Sequence, residues 1–150
     1  MLVAEGADTK KVDSSGNTLL HAAAKGNCVE LIRYLLHEGR DINELNEGRQ
    51  TPLHAAASFG QEEAVKYLVD RGAETKNVGV NGDTSLHAAA RAGSPGVVMF
   101  LLNKGMDIEE PNEVGLTPLH TAAWAGNERM VKMLLKEGAD INKAEKTGYK

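Results

Sequence analysis

Cysteine is almost absent from this sequence, and long apolar runs and an excess of positive charge are missing. Cys28 is the single thiol, so no disulfide can close within the chain, and a reducing, intracellular setting (cytoplasmic or nuclear) is expected. The longest apolar run, Val97 to Leu102, is six residues. That is far short of the ~20 that span a bilayer. The segment Met1-Leu2-Val3-Ala4-Glu5 meets a charge too early for a secretory signal. Net charge is −4, with both signs interspersed. This balance argues against nucleic acid or an anionic membrane as partner. At 150 residues, 41% hydrophobic and 25% charged, the chain suits one ordinary globular domain.

What is present is a period. His21, His54, His87 and His120 follow one another at 33-residue spacing. The same offset carries Thr18 onto Thr51, Thr84 and Thr117, and Gly39 onto Gly72, Gly105 and Gly138. Paired apolar residues keep step at Leu35-Leu36, Leu68-Val69, Leu101-Leu102 and Leu134-Leu135. Complete units therefore run 13–45, 46–78, 79–111 and 112–144. Residues 1–12 match the tail of a preceding unit and 145–150 the head of a following one, so the chain is expected to be a portion of a longer array.

Each unit carries the signals of two short helices. The threonine three places before each histidine is an N-cap, its hydroxyl accepting an otherwise unpaired N–H of the first turn. Pro52 and Pro118 follow at the N1 position that proline favours. An alanine-rich run comes next, stopped by Gly26, Gly60, Gly93 or Gly126 as a left-handed residue. A second helix then shows an apolar stripe, such as Leu31, Ile32, Leu35 and Leu36, and Ser94-Pro95 supplies one of these helices with its own cap. Helices of about ten residues do not persist alone in water, so each must bury its stripe on a neighbouring unit.

The units with Thr51-Pro52-Leu53-His54-Ala55-Ala56-Ala57 and Thr117-Pro118-Leu119-His120-Thr121-Ala122-Ala123 resemble the ankyrin repeat, and the resemblance covers the whole chain. It implies an all-α solenoid of stacked helix-turn-helix units with hairpin-like turns, forming a single domain over 1–150. Its first helices and turn tips would line a concave face and its second helices the convex back. It also implies a scaffold for binding another protein or peptide. Departures occur at Leu19 and Ser85, which replace the proline, and at Gly26 and Gly48, which come one place early.

Residues that could carry other chemistry have simpler uses. Four histidines in register suggest zinc, but equivalent side chains in stacked units lie roughly 8–10 Å apart. Two nitrogen ligands of one zinc can be no more than about 4 Å apart. A histidine at N3 instead closes a capping box, the part usually taken by Glu or Gln. Asp13, Ser14, Ser15 and His21 have the composition of a hydrolytic triad without its geometry. Gly79-Val80-Asn81-Gly82 fits neither phosphate-binding glycine pattern. Cys28 is expected to pack at the start of a second helix. Asn43 and Asn142 stand in Asp-Ile-Asn turns resembling those hydroxylated in some ankyrin arrays, although an asparagine that bonds the turn is the preferred reading. The expectation is therefore no enzyme, no metal, no cofactor and no small-molecule substrate, in a monomeric chain.

Tyr34, Tyr67, Phe100 and Met133 share one position and read as packing. Phe59 and Trp124 do not. Trp124 shares its position with Lys25, Ser58 and Arg91, and Phe59 shares its own with Gly26, Ala92 and Ala125, a variability that stacking does not impose. The turn row runs Asn17, Gln50, Asp83, Leu116 and Tyr149, ending on apolar and aromatic members. Phe59, Asp83, Arg91, Leu116 and Trp124 are thus the candidate protein-binding residues, with an exposed tryptophan beside an exposed leucine as anchor. Two other roles compete: a structural spacer, and a regulatory or substrate-recruiting segment of a larger multidomain protein.

Overall fold

The computed structural model describes residues 12, 16–75, 79 and 82–142. Residues 1–11 and 145–150 of the part-units (with Tyr149), the Asp13-Ser14-Ser15 cluster, and Val80-Asn81 of the Gly79–Gly82 loop lie outside them. The described residues form eight α-helices: α1 Leu19–Lys25, α2 Val29–His37, α3 Pro52–Ser58, α4 Glu62–Asp70, α5 Ser85–Ala92, α6 Pro95–Asn103, α7 Pro118–Trp124 and α8 Glu128–Lys136. First helices have seven or eight residues and second helices nine, shorter than the periodicity suggests.

Each helix pair packs internally, and each first helix also packs on the next one along the chain. Contact along the first-helix layer is broad, whereas the second helices touch their neighbours sparsely. Alanine explains the difference. Ala24, Ala56, Ala57, Ala89, Ala90 and Ala122 are fully buried, and their small side chains let the first helices approach closely. A two-layer stack that is tighter on one side bends toward that side, so the first helices form the inner face. Between the layers lies the core, which repeats with the sequence: Leu20, Leu53 and Leu86 from the first helices, and Leu35, Leu68, Leu101 and Leu134 from the second, all fully buried. Burial of each leucine contributes roughly 1.5–3 kcal/mol.

The threonine–histidine caps form as expected and go further. The hydroxyls of Thr18, Thr51 and Thr84 accept the N–H of His21, His54 and His87 at 3.3, 3.1 and 3.3 Å. In return, Nδ1 of His87 and His120 accepts the N–H of Thr84 and Thr117 at 3.2 and 3.1 Å. The far side of the ring reaches the next unit. Nε2 of His21 donates to the Gln50 carbonyl at 2.7 Å, and Nε2 of His87 to that of Leu116 at 2.8 Å. A carbonyl can only accept, so the ring proton sits on Nε2 and Nδ1 is left as an acceptor. The neutral ring is therefore built into the fold. Burial pushes the pKa of His21 and His87 down against the opposing pull of those carbonyls. It lowers His54 to about 4, and the Nδ1 of that ring is buried without a partner.

The turn that receives each ring is closed by the residue starting the unit. Asn46 and Asn112 accept the N–H of Gln50 and Leu116 through Oδ1, both at 2.9 Å. Their amide groups donate back to Asn17 and Asp83 of the preceding unit, both at 2.8 Å. Asn43 likewise bonds across units, its Oδ1 accepting the Glu74 N–H at 3.0 Å. Cys28 is half-buried against the core at the start of α2.

Three local expectations are corrected. Gly26 does not take the left-handed conformation that ends α1: its φ is −85°, and Asn27 takes that conformation with φ 58°. Asparagine tolerates this region, and here its side chain gains two bonds to the next unit. Asn27 Nδ2 donates to Glu63 at 2.6 Å and its Oδ1 accepts the Ala64 N–H at 2.9 Å. Arg49 behaves similarly after the early Gly48, with φ 61°. Ser94 does not cap α6 with its hydroxyl; it lies against Gly60, where any side chain would overlap it.

Two outcomes follow from these caps. Thr51→Ala lowers stability by about 1 kcal/mol, read from urea unfolding at pH 7.5. His21, His54 and His87 make stability acid-sensitive. Their folded pKa values lie below the unfolded value of about 6.5, so the unfolded chain binds more protons in between. Stability is then full above pH 6.5 and falls as pH drops toward 4, by up to about 1.4 kcal/mol per pH unit for each fully shifted ring. A urea midpoint that stays constant from pH 7.5 to 4.5 contradicts this, and His54→Gln flattens the slope.

Candidate protein-interaction surface

Helix stacking sets the last turns of α1, α3, α5 and α7 side by side on the inner face. Any side chain that the hairpin to the second helix does not cover there points outward. Phe59, at the end of α3, is 59% exposed, and Trp124, the last residue of α7, is 71% exposed. These values stand out because the leucines of the same helices are buried, and a ring left in water has no part in the core. Lys25, from the end of α1, holds its ammonium 5.3 Å from the centroid of the Phe59 ring. Such a cation–aromatic pair contributes about 0.5–1 kcal/mol at an exposed site.

Arg91 reaches outward from the last turn of α5. Its guanidinium pairs with the Asp83 carboxylate at 2.7 Å, and its side chain remains 48% exposed while that of Asp83 is buried. Burial alone would raise the Asp83 pKa. Hydrogen bonds from Asn112 and Arg91, together with the Arg91 charge, outweigh it and hold the carboxyl below its ordinary value. Asp83 thus stays ionised and fixes where Arg91 stands.

Of the five candidate residues, Phe59, Arg91 and Trp124 lie on the surface as expected. Asp83 and Leu116 do not. Asp83 works from beneath, and Leu116 is only 5% exposed. The expectation of an exposed leucine beside the tryptophan is therefore corrected. Leu116 sits where the His87 ring docks on its carbonyl and Asn112 holds its N–H, so the turn is folded against the preceding unit. Its neighbour Val114 carries the exposed apolar surface of that turn instead. Lys25 was not among the expected site residues, although it shares the Trp124 position. That register was the available signal.

The opposite face has a different make-up. Tyr67, Phe100 and Met133 pack partly against the core, as their shared position implies, but Tyr34 is 38% exposed. Arg33 and Arg71 both lie 5.6 Å from the Tyr67 ring, and Lys66 and Lys104 lie 6.0 and 5.4 Å from Phe100. Carboxylates offset several of these cations, with Arg33–Glu30 at 3.1 Å, Lys66–Glu62 at 3.0 Å and Lys104–Asp70 at 3.4 Å. Glu63 accepts the Asn27 amide across units. Among the described residues no group of three His, Cys, Asp or Glu side chains stands at metal-holding spacing, and no helix is long and apolar enough to cross a membrane.

A family model describing ankyrin repeats (3 copies) matches residues 1–78 and again residues 71–145. No curated protein matches the chain. The matched segments take in nearly all of the sequence, and the paired short helices, threonine–histidine caps and hairpin-like turns give the same reading: the chain belongs to the ankyrin-repeat family.

Proposed function

We propose that this chain is a protein-interaction scaffold, without catalytic activity of its own, that holds a segment of a partner protein on its first-helix face. Ankyrin repeats generally mediate protein–protein interaction, and that role is the starting point. The observation that carries the finer reading is the exposure of Trp124 and Phe59 on one face, against a core that takes in Leu20, Leu53, Leu86 and Leu119 of the first helices. Tryptophan and arginine dominate alanine scans of interfaces because a large flat side chain excludes water from its surroundings. Trp124, Phe59 and Arg91 supply both types. A spacer would have no use for a tryptophan left in solvent at the end of a helix. The single thiol Cys28 is in keeping with an intracellular setting.

The test is affinity capture with the wild-type chain against Trp124→Ala and Lys132→Ala, read by mass spectrometry and followed by titration of the partner. Trp124→Ala weakens binding by about 2 kcal/mol or more, near thirtyfold. Lys132 makes an exposed pair with Glu128 at 3.6 Å on the second-helix face. Its removal changes stability by no more than about 0.5 kcal/mol and leaves binding intact. Loss of the partner with Lys132→Ala but not with Trp124→Ala overturns the assignment to this face.

A further inference from the structure

The last turns of the four first helices carry a sequence of their own across the stack. Lys25, Phe59, Arg91 and Trp124 present a cation, a ring, a cation and a ring, one from each helix pair. No carboxylate among the described residues pairs with the Lys25 ammonium, whose nearest described partner is the Phe59 ring at 5.3 Å. Arg91 is held in place through one nitrogen by the buried Asp83 at 2.7 Å. A guanidinium has five N–H donors in a rigid fork, so one bond to Asp83 does not exhaust it. The stripe therefore combines two positive charges, one of them held in place, with two apolar rings.

We infer that the segment held on this face is extended and acidic–apolar, with carboxylates meeting Lys25 and Arg91 and apolar side chains lying against Phe59 and Trp124. The inference rests on the proposed binding role of the first-helix face and adds the chemistry of the partner. Spacing specifies it further. Neighbouring helices stand about 10 Å apart, and an extended chain in the polyproline II conformation rises about 3.1 Å per residue with three residues per turn, so every third side chain faces the stripe, once per unit. The matching segment alternates an acidic and an apolar residue every third position. A basic segment would set like charges against Lys25 and Arg91, a cost that selects against it.

The experiment pans a random 12-residue peptide library displayed on phage over the immobilised full chain, then titrates synthetic copies of the selected peptides. Wild type is expected to enrich Asp or Glu three positions from Leu, Ile, Phe or Trp. Binding of these peptides weakens as salt is raised from 50 to 500 mM, as exposed charge pairs do. Lys25→Glu lowers their affinity at least tenfold and shifts a fresh selection toward Lys and Arg. Trp124→Ala lowers it about thirtyfold. Absence of enrichment over an empty surface, or apolar residues at helical spacing, overturns the inference. Basic peptides that are lost on Trp124→Ala remove only the charge assignment and leave the face in place. Peptides that bind Trp124→Ala and Phe59→Ala as tightly as wild type remove the face itself, and this inference with it.

Discussion

A helix of seven residues has almost no stability in water, because nucleation costs more than so few hydrogen bonds return. Everything in this fold follows from the need to brace such helices from outside, by the buried leucine and alanine core and by histidine rings that bridge one unit to the next. In His87 one nitrogen completes the cap of its own first helix and the other holds the turn that opens the next unit, and His21 makes the same reach to Gln50. Asn46 and Asn112 close those turns and bond back to Asn17 and Asp83. The first and third units thus set the entry of their successors, in the nearest-neighbour manner expected of repeat proteins. The proposed binding face joins the same chain of contacts at Asp83. That buried carboxylate ties the turn to Asn112 and positions Arg91 on the open face.

The division between repeating and variable positions is physical. Core residues such as Leu35, Leu68, Leu101 and Leu134 repeat with the period because every unit meets the same surroundings. The ends of the first helices meet solvent, so nothing in the stacking dictates their identity, and they differ in size, charge and polarity. Binding then depends on display. Side chains held by a stack of short, mutually braced helices lose little further freedom when a partner arrives, which lowers the entropic cost of association.

Most of the fold was legible in the sequence because it is written four times. The caps, the buried leucines and the alanine-rich inner layer all follow from the period together with local helix chemistry. What escaped was decided by contacts between units. Gly26 looks like a helix stop, yet Asn27 takes that role because its amide also reaches Glu63 and Ala64. Ser94 looks like a cap, yet its hydroxyl fills the space that Gly60 leaves open. Leu116 reads as exposed because its polar counterparts suggest a surface turn, but the docked His87 ring and the Asn112 side chain fold that turn inward. Of the candidate site, Phe59, Trp124 and Arg91 were recognisable as residues that break the pattern. Lys25 escaped because a lone lysine at a helix end is unremarkable until Phe59 is seen beside it.

Hydrogen–deuterium exchange on the chain, free and with a bound partner segment, tests the central claim most directly, since it reads out which helices the partner shields. The account predicts added protection at the ends of α1, α3, α5 and α7, around residues 25, 58–59, 91–92 and 124–125, with α2, α4 and α6 unchanged. Protection concentrated on the second helices, around Tyr34, Tyr67 and Phe100, would contradict it.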